Sequence, residues 1–222
     1  CNPAIGGLGK GQIVREIDAL GGVMARAIDA TGIMFKMLNT SKGPAVWGPR
    51  AQADKDAYRD EVQRLISTRK NIEVLEGTVD DLIVNNGTIS GVMLDNPIYA
   101  KTVILTTGTF MRGLMHTGDH KETGGRVGEG TAEGISKTLI SLGFELGRLK
   151  TGTPPRLSKA SIDWDSLPAQ LGDKNPVPFS DLPNTSFPKM TQVDCRITST
   201  NDSMHTLIKE NRPIWCKGVT PI

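Results

Sequence analysis

Hydrophobic side chains recur at helical spacing in two stretches of the N-terminal part of the chain. Between Gln12 and Thr31 they return every three or four residues, and Gly21-Gly22 interrupts the pattern, which predicts one helix or two short ones. A cleaner apolar stripe opposite a charged face predicts another helix over Arg50–Arg69. The members of that stripe are Tyr58, Val62, Leu65 and Ile66.

The hydrophobic period then changes to that of β-strands. Short strands are predicted at 72–76, 79–84 and 88–94. The sequence Asn85-Asn86-Gly87 is a strong signal for a hairpin turn between the last two strands. A β-rich stretch is therefore expected to follow the helices.

The apolar and β-branched run Thr102–Thr107 is typical of a strand buried on both faces. It ends in Thr107-Gly108-Thr109, and ligands of open α/β sheets bind beyond the carboxyl ends of such strands. A Gly-rich loop is predicted over 113–130, and a helix with Thr131 as its N-cap is predicted over 131–143.

The composition and the hydrophobic periodicity of the sequence change after residue 151. Most prolines lie between Pro154 and Pro221, among short polar segments with weak periodicity. A domain boundary is therefore predicted near residue 150, which divides the chain into residues 1–150 and 151–222.

Composition excludes several classes of protein. The chain has 222 residues, of which 37% are hydrophobic and 23% charged, with 25 glycines, and these values exclude a disordered chain, a collagen, a coiled coil and a membrane protein. The formal net charge of +2 excludes the overall basic charge of a dedicated nucleic-acid-binding domain, so any nucleic acid is expected to meet a local basic face.

Two stretches carry basic residues and no acidic ones, at 30–53 and 146–162. Such a local surplus can bind the phosphates of a dinucleotide or of RNA, or it can be an ordinary solvated face, and both alternatives stay open. The candidate phosphate-contacting residues are Lys42, Arg50, Arg148, Lys150 and Arg156.

The cysteines and histidines indicate a reducing setting without a metal. Cys1, Cys195 and Cys216 are too widely spaced for a disulfide framework or a zinc ribbon, which predicts a cytoplasmic protein. The three histidines are dispersed, so no metal site is expected. No apolar run approaches the roughly 18 residues that span a bilayer, so no membrane association is expected. The chain begins on Cys1 rather than Met, which suggests a piece of a longer protein.

The opening Gly-rich run fits neither common phosphate-binding motif. A G-x-G-x-x-G motif starting at Gly7 would need glycine at Gln12, and the phosphate-binding loop motif would need serine or threonine at Gly11. A tight loop before a helix is the plainer interpretation. Cys1 is the one candidate nucleophile, because a helix N-terminus can stabilise a thiolate, although an inert thiol is the alternative. No catalytic triad motif supports hydrolase chemistry.

Six sequence blocks are distinctive. They are Cys1-Asn-Pro-Ala-Ile-Gly-Gly-Leu-Gly-Lys-Gly11, Glu16-Ile-Asp-Ala-Leu-Gly-Gly22, Ser41-Lys-Gly-Pro-Ala-Val46, Arg50-Ala-Gln-Ala-Asp54, Leu105-Thr-Thr-Gly-Thr-Phe110 and Gly147-Arg-Leu-Lys-Thr-Gly-Thr-Pro-Pro-Arg156. Together, in one register over residues 1–212, they resemble the MnmG (GidA) family of tRNA-modifying flavoproteins.

The resemblance implies an α/β, FAD-binding two-dinucleotide flavoprotein fold. A Rossmann-like unit would hold FAD, and an inserted α+β domain would contribute to NADH binding. On this basis residues 1–150 are expected to form part of the FAD-binding domain, and residues 151–222 part of the inserted domain. The family's N-terminal strand and G-x-G-x-x-G loop are expected to precede Cys1, so the fold would be partial.

The resemblance also implies roles for individual residues. Cys1 is expected to be catalytic. Val79 matches a position where backbone groups meet the adenine end of FAD. Ala132 matches a position where the family has a small hydroxyl residue, so only its backbone is expected to contact the cofactor. The residues expected at the cofactor are Asn2, Pro3, Gly6, Gly7, Val79, Thr107, Gly108, Thr109 and Ala132.

The implied function is the addition of a carboxymethylaminomethyl group to the wobble uridine of tRNA. FAD, NADH and methylene-tetrahydrofolate are the implied cofactors. The implied partners are tRNA, the GTPase MnmE and a second copy of the same chain, and the isolated chain is expected to be inactive. A folate- and FAD-dependent tRNA uridine methyltransferase is one alternative. A non-catalytic RNA-binding or partner-docking module is another.

Overall fold

The computed structural model describes residues 3–149, 151–152, 154, 157–182 and 186–216, with side chains as far as residue 211. The chain divides into two compact units. The first contains residues 1–73 and 152–200, and the second contains residues 74–151 and 201–222. This division differs from the partition at residue 150, because residues 152–200 pack with the N-terminal ones. The assignment of either part to a cofactor domain stays a prediction.

The described part of the chain contains both helices and strands, in agreement with the predicted α/β class. The strands are β1 (Ala4–Gly6), β2 (Gly32–Leu38), β3 (Gly48–Ala53), β4 (Asp81–Asn85), β5 (Thr88–Met93), β6 (Pro97–Tyr99), β7 (Leu114–Thr117), β8 (His120–Thr123), β9 (Ala169–Gln170) and β10 (Cys195–Arg196). The helices are α1 (Lys10–Ala19), α2 (Met24–Thr31), α3 (Lys55–Ser67), α4 (Gly134–Ser141) and α5 (Asp202–Cys216). No helix in the described part of the chain is long and apolar enough to cross a membrane.

The first unit is built on an antiparallel sheet with the strand order β1-β3-β2. Gly21, at φ +86°, separates α1 from α2 and confirms the alternative of two short helices. A cluster of buried side chains from α1, α2, β2, β3 and a later loop forms the core. Its members are Val14, Ala25, Ile28, Phe35, Ala51, Ala53 and Phe179.

Two aspartates of the N-terminal helices hold the loop that carries Phe179. The carboxylate of Asp29, which is only 1% exposed, accepts the backbone N–H groups of Phe179 at 2.7 Å and Ser180 at 2.9 Å. Asp18 accepts the Ser180 hydroxyl at 2.9 Å and the backbone N–H of Asp181 at 3.1 Å. Burial raises the pKa of Asp29, and the two hydrogen bonds from backbone N–H groups oppose that rise.

The second unit contains two smaller antiparallel elements. Strands β4, β5 and β6 form one sheet in that order, and β7 pairs with β8 in a hairpin. The predicted turn at Asn85-Asn86-Gly87 is confirmed, because Asn86 and Gly87 both have positive φ between β4 and β5. Helix α4 packs on β4, where the Thr138 hydroxyl donates a hydrogen bond to the Asp81 carboxylate.

The predicted helix over 50–69 is wrong at its start. Gly48–Ala53 is the central strand of the first sheet, and the helix begins only after Asp54. The Asp54 carboxylate accepts the backbone N–H groups of Asp56 and Ala57 and so caps the helix. The predicted apolar stripe faces inward, with Leu65 buried.

Four predictions between residues 72 and 131 are wrong. Residues 72–76 and 102–107 form no strand, and Ile104 is 87% exposed, because the described residues provide no strand beside them. The predicted loop over 113–130 contains the β7–β8 hairpin. Thr131 is not a helix cap, because its hydroxyl binds the Gly113 N–H and the Phe110 carbonyl instead.

Candidate functional site

The larger of the two cavities described lies within the second unit and has a volume of about 530 Å³. Four irregular segments, with single residues from β5 and α4, form its wall. The lining residues are Gly77–Val79, Val92, Val103–Thr107, Phe110–Met111, Glu129–Ala132 and Ile135. This volume lies within the usual range for small-molecule and cofactor sites.

Two extended segments leave their backbone groups available at this cavity. Within the described residues, no hydrogen bond is recorded for the N–H and C=O groups of 73–79 or of 101–106. Most of these residues are exposed, so a ligand that pairs with their backbone groups would replace hydrogen bonds to water. An apolar wall beside free backbone donors and acceptors suits a flat heteroaromatic ring such as adenine.

Two polar side chains in the Gly-rich part of the wall are paired within the protein. The Glu129 carboxylate forms an ion pair with Arg126. The Thr131 hydroxyl accepts the Gly113 N–H and donates to the Phe110 carbonyl, both at 2.7 Å. These contacts stiffen the Gly-rich part of the wall. Among the described residues, the hydroxyls of Thr78, Thr106 and Thr107 have no hydrogen-bond partner. These hydroxyls, the backbone and the shape of the cavity are therefore all available for recognition.

Three of the predicted cofactor residues meet at this cavity: Val79, Thr107 and Ala132. The N–H of Ala132 donates to the Phe110 carbonyl at 2.9 Å, and its carbonyl accepts the Arg112 N–H at 2.8 Å. Ala132 therefore offers a ligand mainly its methyl group and the second lone pair of its carbonyl, rather than a free N–H.

Gly108 and Thr109 form the turn beside the cavity. Gly108 has φ +55°, and the Thr109 hydroxyl donates to the Gly125 carbonyl at 2.8 Å. The carbonyl of Thr107 accepts the Phe110 N–H across this turn at 3.1 Å. The turn thus connects the extended segment to the Gly-rich wall.

The predicted cofactor residues of the opening block lie in the first unit. A side chain at Gly6 would overlap the Pro49 carbonyl and the Phe179 ring, so packing alone accounts for that glycine. Gly7 has open space where a side chain would lie, and its N–H donates to Pro49 at 2.8 Å. The carbonyl of Pro3 accepts the Ala53 N–H. Cys1 and Asn2 lie outside the described residues.

The predicted phosphate-contacting residues are distributed over both units. In the first unit, Lys42 is exposed and Arg50 is half-buried in β3. In the second unit, Arg148 is exposed and donates to the Arg112 carbonyl at 3.2 Å. Lys150 and Arg156 lie outside the described residues.

A second cavity, of about 260 Å³, lies within the first unit. Its lining comes from β2 and β3 and from the short pair β9–β10. Arg50 and Lys36 belong to the acid-free stretch 30–53, but the other lining residues were missed from the sequence: Met34, Leu38, Gln52, Gln170 and Cys195. Alternation at 34, 36 and 38 was a usable signal, but the pairing of β2 with β3 and the approach of Cys195 depend on tertiary structure.

Comparison with known proteins gives a family match over most of the chain. The family model described as "Glucose inhibited division protein A" matches residues 1–215. A protein of Rhodopirellula baltica is 51% identical over 224 residues, covering 95% of this chain and 34% of its own length. A protein of Granulibacter bethesdensis is 50% identical over 216 residues, covering 95% and 34%. Both are named tRNA uridine 5-carboxymethylaminomethyl modification enzyme MnmG.

A solved structure matches as well. The structure of Aquifex aeolicus GidA in its form II crystal has a TM-score of 0.87 and 46% sequence identity, covering 95% of this chain and 36% of that one. The chain thus spans about a third of the length of the curated relatives that it matches. The match over residues 1–215 and the agreement of the fold show that the chain belongs to the Glucose inhibited division protein A (GidA) family.

Proposed function

We propose that this chain is part of an FAD- and NADH-dependent flavoprotein that adds a carboxymethylaminomethyl group to the wobble uridine of tRNA, with methylene-tetrahydrofolate as the one-carbon donor. The observation that carries the proposal is the meeting of Val79, Thr107 and Ala132 at one cavity. These residues are distant in sequence, and the family resemblance had assigned all of them to the same cofactor. The names of the Granulibacter and Rhodopirellula relatives support the same reaction.

The cavity fits part of an FAD molecule. Its apolar wall suits the faces of an adenine ring, and the unpaired backbone groups around Val79 suit the nitrogen atoms along the ring edge. Ala132 would contribute a methyl contact, and the turn at Gly108 would let the backbone approach the cofactor closely. When bound, the flavin supplies hydride and electron transfer, while the protein orients the reactants.

Cys1 is proposed as the nucleophile, on the strength of the opening block that it begins. Its thiolate would add to the uracil ring, and the electron pair displaced by the new carbon–sulfur bond would make the neighbouring ring carbon nucleophilic. Gly7 and Gly9, which both have open space where a side chain would lie, are positions in the opening block where a cofactor has room to approach.

Lys42, Arg50, Arg148, Lys150 and Arg156 are proposed to contact phosphates of tRNA or of a dinucleotide, since they belong to the acid-free stretches. The GTPase MnmE and a second copy of the chain are proposed as protein partners, in the cytoplasm. The identity of about half with relatives named MnmG favours this function over a tRNA uridine methyltransferase. Yellow colour of the purified protein would exclude the non-catalytic RNA-binding module.

The decisive experiment measures FAD affinity with a variant of the cavity wall. In a complete protein that carries this chain, Ala132→Leu fills part of the cavity and is expected to weaken FAD binding at least about tenfold. Ala100→Leu is the matched control, because Ala100 is exposed and does not line the cavity, and its FAD affinity should stay within about twofold. Equal FAD affinity for both variants, or a complete protein without flavin, would reject the proposal.

A further inference from the structure

The second cavity places two cations directly opposite each other. In the antiparallel pair β2–β3, Lys36 is the register partner of Arg50, and Met34 is the partner of Gln52. Directly opposed side chains in such a pair have Cβ atoms about 4.5–5.5 Å apart, and like charges there destabilise the sheet. This arrangement is unfavourable for folding unless something between the two charges compensates it.

The described residues that line the cavity do not supply the compensating charge. No aspartate or glutamate lines the cavity in the described part of the chain. The ammonium group of Lys36 donates one hydrogen bond, to the Leu171 carbonyl at 2.7 Å, and retains two further donors. No hydrogen bond or ion pair is recorded for the Arg50 guanidinium among the described residues. Its planar fork is well suited to bind two oxygens of one anion.

The other lining residues add hydrogen-bond donors beside the two cations. Gln170 and Cys195 are register partners in β9–β10, and the Cys195 thiol lies 3.2 Å from the Met34 sulfur atom. Gln52 and Gln170 add amide N–H donors beside the two cations. The lining therefore combines two positive charges, two amides and a thiol. The cavity volume of about 260 Å³ favours one terminal group of a ligand over a whole nucleotide.

We propose that this cavity binds the phosphate group of a small phosphorylated ligand between Arg50 and Lys36. A phosphate group has several oxygens that share a delocalised negative charge. It can therefore accept hydrogen bonds from a guanidinium group, an ammonium group and two amides at once, which a single carboxylate cannot do as well. This phosphate site rests on the proposed function only for the role of Arg50. It shares no lining residue with the proposed flavin cavity, so the two sites are independent.

The test titrates the 222-residue chain with pyrophosphate, inorganic phosphate and glutarate at low ionic strength by calorimetry. Pyrophosphate and phosphate are expected to bind, glutarate is expected to bind more weakly, and added salt should weaken all three. Arg50→Gln and Lys36→Gln should each lower pyrophosphate affinity at least about tenfold. Lys70→Gln removes an exposed charge outside the cavity and should change the affinity less than about twofold.

The alkylation of Cys195 gives a readout that is specific to the site. Bound pyrophosphate should slow the reaction of its thiol with iodoacetamide, measured on the peptide that contains Cys195, and this protection should disappear in Arg50→Gln. Arg50→Lys keeps the charge but not the fork, and intermediate affinity is expected for it. If Arg50→Gln does not fold, the pyrophosphate affinities of Arg50→Lys and Lys36→Gln are compared with that of the parent chain instead.

Several results would overturn the proposal. They are the absence of pyrophosphate binding by the parent chain, a pyrophosphate affinity in Arg50→Gln and Lys36→Gln equal to that of the parent chain, and stronger binding of glutarate than of pyrophosphate. Binding of tRNA that depends on Arg50, without any binding of phosphate or pyrophosphate, would also reject it and would leave Arg50 as an RNA contact. The Ala132→Leu experiment is separate, so either proposal can fail without the other.

Discussion

The buried Asp29 carboxylate offers the sharpest test of how the first unit is held together. Asp29→Ala removes the acceptor of two buried backbone N–H groups, those of Phe179 and Ser180. Each unsatisfied buried donor costs about 1–3 kcal/mol, so the two N–H groups together cost about 2–6 kcal/mol. Burial already raises the pKa of Asp29, and removal of that desolvated carboxylate offsets part of the loss. A net loss of about 2–4 kcal/mol in the free energy of unfolding is expected.

Asp181→Ala is the matched control for this experiment. Asp181 belongs to the same loop and forms an ion pair with Arg15 at 2.7 Å, but its side chain is 82% exposed. Its removal should cost at most about 1 kcal/mol. Urea denaturation followed by circular dichroism measures both variants. Hydrogen exchange at the amides of Phe179 and Ser180 should accelerate only in Asp29→Ala. A loss in Asp29→Ala no larger than in the control, with unchanged exchange, would refute the reasoning.

Four further predictions follow from the structure and the family. The pKa of Asp29 is raised in the folded state, so the stability that this group contributes is lost as pH rises from its ordinary pKa of 3.8 through its raised pKa. Over that range the parent chain should lose stability relative to Asp29→Asn, and urea denaturation at each pH measures the difference. Gly134→Ala should destabilise the second unit by about 1–3 kcal/mol, because its Cβ would overlap the Asp80 carbonyl; an unchanged melting curve would contradict this. The 222-residue chain should bind FAD at least about a hundredfold more weakly than the complete protein. The reason is that the loop expected to bind the FAD pyrophosphate through several charge-assisted N–H contacts lies outside the 222 residues. Submicromolar FAD binding by the 222-residue chain in a fluorescence titration would reject this prediction. Cys1→Ser in the complete protein should abolish uridine modification per bound flavin while FAD and tRNA binding persist, and normal turnover would reject the nucleophile.

Local patterns in the sequence were sufficient for several elements. The two glycines at 21 and 22 separate α1 from α2, and Asn86-Gly87 forms the predicted turn because both residues tolerate positive φ. The stripe containing Leu65 forms the inner face of α3. Long blocks such as the one beginning at Cys1 identified the family without any structure. Each of these signals lies within a few residues of the feature that it predicts.

Tertiary structure decided the features that depend on distant partners. Residues 50–53 became the central strand because β1 and β2 pair with both of its edges, although their local pattern also suits a helix. The apolar run 102–107 formed no strand, since a strand needs a neighbour for its backbone hydrogen bonds, and its pattern does not show whether one is present.

The two cavities show the same limit at the level of function. Family resemblance named Val79, Thr107 and Ala132 separately, but only the fold brings them to one wall. An acid-free stretch marked Arg50 as a candidate, but strand register alone places it opposite Lys36. Composition and periodicity report how each residue relates to its sequence neighbours. Binding depends on which residues from distant segments meet, and long-range packing determines that.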